Sequence, residues 1–298
     1  MSIGFNEKDM ELLRKLNRRS WTHTFSPDRD IDWESSTTRE EFRSLYDAWS
    51  LLLGSRHEAS LTDEQRIRFA QYQQINLMMG TALFERYALA NFESLYGDDS
   101  DPAFQEYVSH LIKEETYHYV LFSRAIVRIK ETDPELCDLP SRPLRIYLVI
   151  VLFMLRYVPS RRLRHGMFFF LLRFIEEITL QANSMTRRTV SRSDSLVQKV
   201  WALHAIDEAR HVAFDDLMMR NARLPGRLAR LPDWLAMPLC IGASLLINLN
   251  EIRAARRLGI RVGYHELFSL MRNTTAPFKR KVFGTLFARE HKAERPAT

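Results

Sequence analysis

The sequence predicts an all-α protein, a four-helix bundle with one long connection and additional helices. Only 10 Gly and 11 Pro occur in 298 residues, too few for a turn-rich all-β or α/β chain. Four long stretches carry helix punctuation at their ends. No run alternates polar and apolar residues beside a hairpin signal.

In chain order, residues 20–38 are polar and read as loop. Thr62-Asp63-Glu64-Gln65 is a capping-box pattern, opening a helix to about Leu95 that contains one Gly and no Pro. Asp101 followed by Pro102 supplies an N-cap and a first helical residue that needs no N–H partner. That helix runs to about Lys130, ahead of Pro134. Residues 143–157 read as a short apolar helix ended by Pro159, and a long helix spans about Arg161 to Thr189. The turn 191–194 breaks the chain, with Asp194 or a neighbouring Ser as N-cap of a helix to about Arg223. Residues 233–257 form a further helix, followed by shorter pieces. The stretches 62–95, 101–130, 161–189 and 194–223 thus come as two turn-linked pairs, with 143–157 as crossover. One domain over 1–298 is expected, with its core at about 62–223.

Composition narrows the function classes. Cys137 and Cys240 cannot make a disulfide framework, and no C-x-x-C is present for zinc or redox chemistry. The polar N-terminus has no apolar region of signal-peptide type. The longest uncharged run, 234–250, includes Pro238, Asn248 and Asn250 and is shorter than the ~20 apolar residues of a membrane span. No transmembrane segment and a cytoplasmic location are expected. Residues 1–139 hold 16 Lys+Arg against 25 Asp+Glu, whereas residues 140–298 hold 27 against 12. The basic half could meet nucleic acid, anionic lipid or an acidic protein partner such as a carrier protein or electron donor. No nucleic-acid motif accompanies it, so nucleic acid is not an expected partner.

The sharpest signal is a set of metal-ligand residues. Glu115-x-x-His118 and Glu208-x-x-His211 each place a carboxylate and an imidazole on one helical face. Glu85 lies 30 residues before Glu115, and Glu177 lies 31 before Glu208, each in the middle of the preceding helix. The two halves therefore repeat at an offset of 92 or 93 residues. One Glu from each of two helices and one Glu-x-x-His from each of the others is the pattern of a carboxylate-bridged dimetal site. Burying four carboxylates without a cation would be very costly. Hard oxygen donors with a few imidazoles and no thiolate suit iron or manganese better than zinc. Glu176 adjoins Glu177, and only one of them should point inward; the repeat offset favours Glu177. His204 stands one turn before Glu208, so His204-x-x-x-Glu208-x-x-His211 stacks three ligand-type side chains on one stripe.

This constellation resembles the p-aminobenzoate N-oxygenase family of diiron proteins, over about residues 62–223. The resemblance implies a ferritin-like core, two irons held by four Glu and three His, and O2 as co-substrate. His204 matches the family's extra histidine. The implied reaction oxidises an amine nitrogen toward hydroxylamine, nitroso or nitro, with an external reductase or ferredoxin as electron donor and a homodimeric assembly. Asp207 and Glu114 resemble the acids that precede the ligating Glu and fix a histidine's orientation. A diiron C–H hydroxylase or desaturase on a free or carrier-bound acyl substrate is the alternative. Phe84, Tyr117, Met185 and Trp201 are candidate pocket walls. Arg86, Arg173 and Arg210 could each meet a substrate carboxylate or pair with an acid.

Overall fold

Four long helices form the centre of the molecule in the computed structural model. It describes residues 5–274 apart from 24, 36, 97–100, 191–194, 223, 225–227 and 229. The helices are α1 (Glu7–Thr22), α2 (Arg39–Trp49), α3 (Asp63–Tyr96), α4 (Pro102–Thr132), α5 (Arg142–Arg156), α6 (Arg161–Thr189), α7 (Leu196–Asn221), α8 (Leu231–Arg257) and α9 (Leu267–Thr274). No strand occurs among the described residues. The expected all-α fold is therefore present, with α3, α4, α6 and α7 as the bundle.

The caps that sequence reading used are in place. The Thr62 hydroxyl accepts from the Gln65 N–H at 3.2 Å, and the Gln65 side chain accepts from the Thr62 N–H at 3.0 Å. Asp101 accepts from the N–H groups of Ala103 and Phe104, at 2.9 and 3.1 Å. Ser195 caps α7 by accepting from Gln198 at 3.1 Å. The proposed turn 191–194, Asp194 included, lies outside the described residues. Helix α3 packs against α4, and α6 packs against α7.

Peripheral helices brace this core through polar anchors. Asn17 of α1 donates to the Ala103 carbonyl at 2.8 Å, and Trp21 donates to Glu106 at 2.8 Å. Ser195 donates to Glu41 of α2. Asn76 of α3 donates to the Ile247 carbonyl of α8 at 2.8 Å. Helix α8 starts earlier than expected and runs through Pro238 without a break. By length and composition alone it could cross a membrane, and 39% of its apolar window is buried in the molecule.

Two apolar clusters fill the interior. One joins α2, α3 and the first turns of α7, with Phe122 and Trp201 at its edge; the other joins α1, α5 and α6, with Phe92, Leu111 and Leu172. The buried acids and histidines of the bundle lie between them.

Candidate metal centre

Helix register brings the acids and histidines together. Glu85, His118, His204 and Glu208 offer ligand atoms all within 4.8 Å of one another, and so do Glu115, His118, Glu208 and His211. All six residues are buried. The groups share His118 and Glu208, so they describe two adjoining positions.

The imidazoles are aimed. His118 Nδ1 lies 3.3 Å from Glu115 and 3.4 Å from Glu208. His211 Nδ1 lies 3.1 Å from Glu115 and 3.5 Å from Glu208. Both rings therefore turn Nδ1 inward and Nε2 outward, where a carboxylate waits. His211 Nε2 donates to Glu114 at 2.9 Å, and His118 Nε2 lies 3.3 Å from Asp207. Each acid comes from the opposite helix, so α4 orients a ring of α7 and α7 orients a ring of α4. Arg210 bridges the two acids, at 2.7 Å to Glu114 and in direct contact with Asp207. Burial alone would raise the Glu114 carboxyl, but its bonds from His211 and Arg210 outweigh that and hold it at about 2.

His204 is set differently. Its Nε2 lies 3.0 Å from Glu85 and 3.2 Å from Glu208, while its Nδ1 has no hydrogen-bond partner. Its ring packs against Phe122 at 4.7 Å and Trp201 at 6.0 Å. Burial, aided by His118, pushes this imidazole well below its ordinary value and keeps it neutral, the form in which histidine binds a metal.

At the neighbouring acids the structure departs from the sequence expectation. Glu176, not Glu177, lines the internal cavity with Glu85, Glu115 and Glu208. Glu177 is also buried but does not line that cavity. Adjacent helical residues point about 100° apart, so the packing of α6 on α7 decides what a one-residue offset cannot. Beside Glu176 lies Asp215, a buried acid that sequence reading missed. The signal was there: residues 204, 208, 211 and 215 continue one stripe of α7.

The donor set fits a cation. Glu85 Oε2 and Glu176 Oε2 are buried with no hydrogen-bond partner. Burial, then neighbouring carboxylates, pushes both acids well above the ordinary carboxylate range. Positive charge among them would reverse that penalty and satisfy the open oxygens. Oxygen and imidazole donors without a thiolate match iron or manganese.

The cavity beside the cluster has a volume of about 20 Å³, the room of one water- or dioxygen-sized molecule. Its apolar walls include Phe84, Ala88, Leu111, Leu172 and Ile175. Of the expected walls only Phe84 takes part. Tyr117, Met185 and Trp201 do not line it, and Trp201 donates to Gln74 at 3.0 Å in the core. None of the three arginines lines the cavity: Arg173 pairs with Asp216 at 2.6 Å through Nη1 while its Nε and Nη2 have no hydrogen-bond partner, Arg210 joins Glu114 and Asp207, and exposed Arg86 sits over the Tyr119 ring at 5.6 Å.

The family model described as P-aminobenzoate N-oxygenase AurF matches residues 6–275, nearly the whole chain. An uncharacterized protein of Mycobacterium tuberculosis and one of Mycobacterium bovis are each 26% identical over 244 residues. Each match covers 80% of this chain and 68% of the relative.

Proposed function

Because the chain belongs to the p-aminobenzoate N-oxygenase family, we propose that it is a diiron oxygenase that oxidises an amine nitrogen toward hydroxylamine, nitroso or nitro. The observation that carries this reading is the third inward-facing histidine, His204, set against Glu85 and Glu208. The ordinary Glu-x-x-His pairs alone would suit any ferritin-like dimetal protein.

In this reading Glu85, Glu115, His118, Glu176, His204, Glu208 and His211 hold two irons. When bound, the irons would activate O2 with electrons from an external reductase or ferredoxin. The protein supplies the surroundings. Four carboxylates offset the metal charge, and a neutral His204 fills a position that water could take. Glu114 accepts the Nε2 proton of His211, and Asp207 stands 3.3 Å from Nε2 of His118, an arrangement that leaves Nδ1 of both rings inward. Asp215 adds a further buried carboxyl beside Glu176. The apolar walls exclude water from the reacting atoms.

The walls also bear on substrate. Phe84, Leu111, Leu172 and Ile175 offer no cation to a substrate carboxylate, and no arginine lines the cavity. An uncharged, apolar amine fits this lining best. The same lining favours one second reading, C–H hydroxylation or desaturation of an acyl chain.

Turnover separates the two. Reduced, iron-loaded protein is exposed to O2 with neutral arylamines, carboxylated arylamines and acyl substrates, and the products are read by mass spectrometry. Oxygen on the nitrogen of neutral arylamines is expected. Oxidation confined to acyl carbon would overturn the N-oxygenase reading.

A further inference from the structure

Helix α5 carries apolar side chains on both of its faces. Leu144, Leu148, Val151, Leu152 and Leu155 are buried against the bundle. Ile146, Val149, Ile150, Phe153, Met154 and Tyr157 are between 49% and 69% exposed. These six follow one another by three, one, three, one and three residues, so they form a single stripe along the outer side. An exposed stripe of this size marks a surface that meets something. Helix α8 packs beside it, with Tyr147 donating to the Leu239 carbonyl at 2.7 Å, and exposes Trp234, Leu235 and Ile241.

Charge indicates the occupant. Residues 139–175 contain no Asp or Glu but seven Arg. Exposed Arg142 and Arg145 stand at one end of α5, and exposed Arg156, Arg161 and Arg162 at the other. A second copy paired through this face about a two-fold axis would bring arginine ends together in either helix direction, with no acid on the helix to offset them. An apolar stripe with cationic ends and a neighbouring exposed Trp suits the interface of an anionic bilayer.

We infer that the outer face of α5 docks this protein on an anionic lipid surface, with the stripe from Ile146 to Tyr157 in the headgroup–acyl boundary and the flanking arginines on lipid phosphates. This surface is separate from the metal centre and does not depend on the proposed reaction. It would also bring the enzyme to a phase in which apolar molecules concentrate.

The test is co-sedimentation of the full chain with vesicles of phosphatidylcholine, with or without about one third phosphatidylglycerol. Wild type should partition onto the anionic vesicles and release them at high salt, leaving the neutral ones largely unbound. Ile150→Asp with Phe153→Asp should lower partitioning at least about tenfold, since it places two charges in the apolar boundary. Arg145→Glu with Arg162→Glu leaves the stripe intact and should also cost about tenfold or more, through the lost phosphate attraction. Circular dichroism checks that both variants keep their helices. Absence of wild-type binding to anionic vesicles would overturn the inference, as would binding indifferent to both variants. A wild-type dimer that the stripe variant splits, without vesicle binding, would assign the face to a second copy and overturn it too.

Discussion

The Glu114 carboxylate on α4 accepts the Nε2–H of His211 on α7 at 2.9 Å. Asp207 on α7 approaches His118 on α4 in the reciprocal sense, and Arg210 ties the two acids together. Each half of the bundle thus orients a ring that belongs to the other half. Glu114→Gln keeps the shape and removes the charge. Metal affinity should fall about 10- to 100-fold while the helical content stays unchanged, as for other acids behind ligating histidines. Titration with Fe2+ or Mn2+ measures it, and wild-type affinity would show that the pair only fills space.

Glu176 and Glu177 give a sharper contrast. Glu176 faces the cavity that Glu85, Glu115 and Glu208 line, so Glu176→Ala should lower the bound metal below two ions per chain. Glu177→Gln should keep full occupancy. Metal analysis of the two variants decides, and the opposite pattern would restore the choice that the sequence repeat favoured.

His204→Gln should retain two metals, because six other ligands remain. It should change the coordination of one of them. In Co2+-loaded protein the visible d–d bands report coordination number, and the variant's spectrum should differ from wild type. Identical spectra would make His204 a core histidine and remove the main support for N-oxygenation.

The pattern of success in the sequence has a physical basis. Glu115-x-x-His118 and Glu208-x-x-His211 are legible because both partners sit on one helix, whose geometry fixes their common face. Capping residues are legible for the same reason. The choice between Glu176 and Glu177 depends on how α6 rotates against α7, which no local pattern records. Asp215 continues the stripe of His204, Glu208 and His211, but that stripe does not say which acid it meets until Glu176 is placed beside it. Helices α1 and α2 went unread although their signals are local: Asn6 caps α1, and Thr38 with Glu41 forms a capping box on α2.

Acid stability should depend on His165 at the start of α6. Burial, with Arg161 and Arg164 nearby, lowers its imidazole from 6.5 to about 4. The folded state therefore prefers the neutral ring. Its contribution is complete above pH 6.5 and declines as pH falls toward about 4. At ~1.4 kcal/mol per unit, the loss is up to about 3 kcal/mol. His165→Gln should flatten the fall of unfolding free energy across that window. Denaturant titrations with parallel slopes for the variant and wild type would contradict this.

The next residue sets the approach of α6 to α8. A Cβ on Gly166 would stand 2.8 Å from the Cβ and Cγ of Pro232, closer than carbon atoms pack. Gly166→Ala should cost about 1–3 kcal/mol by forcing the helices apart. Denaturant unfolding measures it, and an unchanged midpoint would mean that Pro232 yields freely.

Anomalous diffraction at the iron edge, from crystals of the iron-loaded protein, tests the dimetal centre most directly. The account predicts two peaks per chain, ~3.5–4 Å apart, enclosed by Glu85, Glu115, His118, Glu176, His204, Glu208 and His211. A single peak after full iron loading, or peaks outside this cluster, would contradict it.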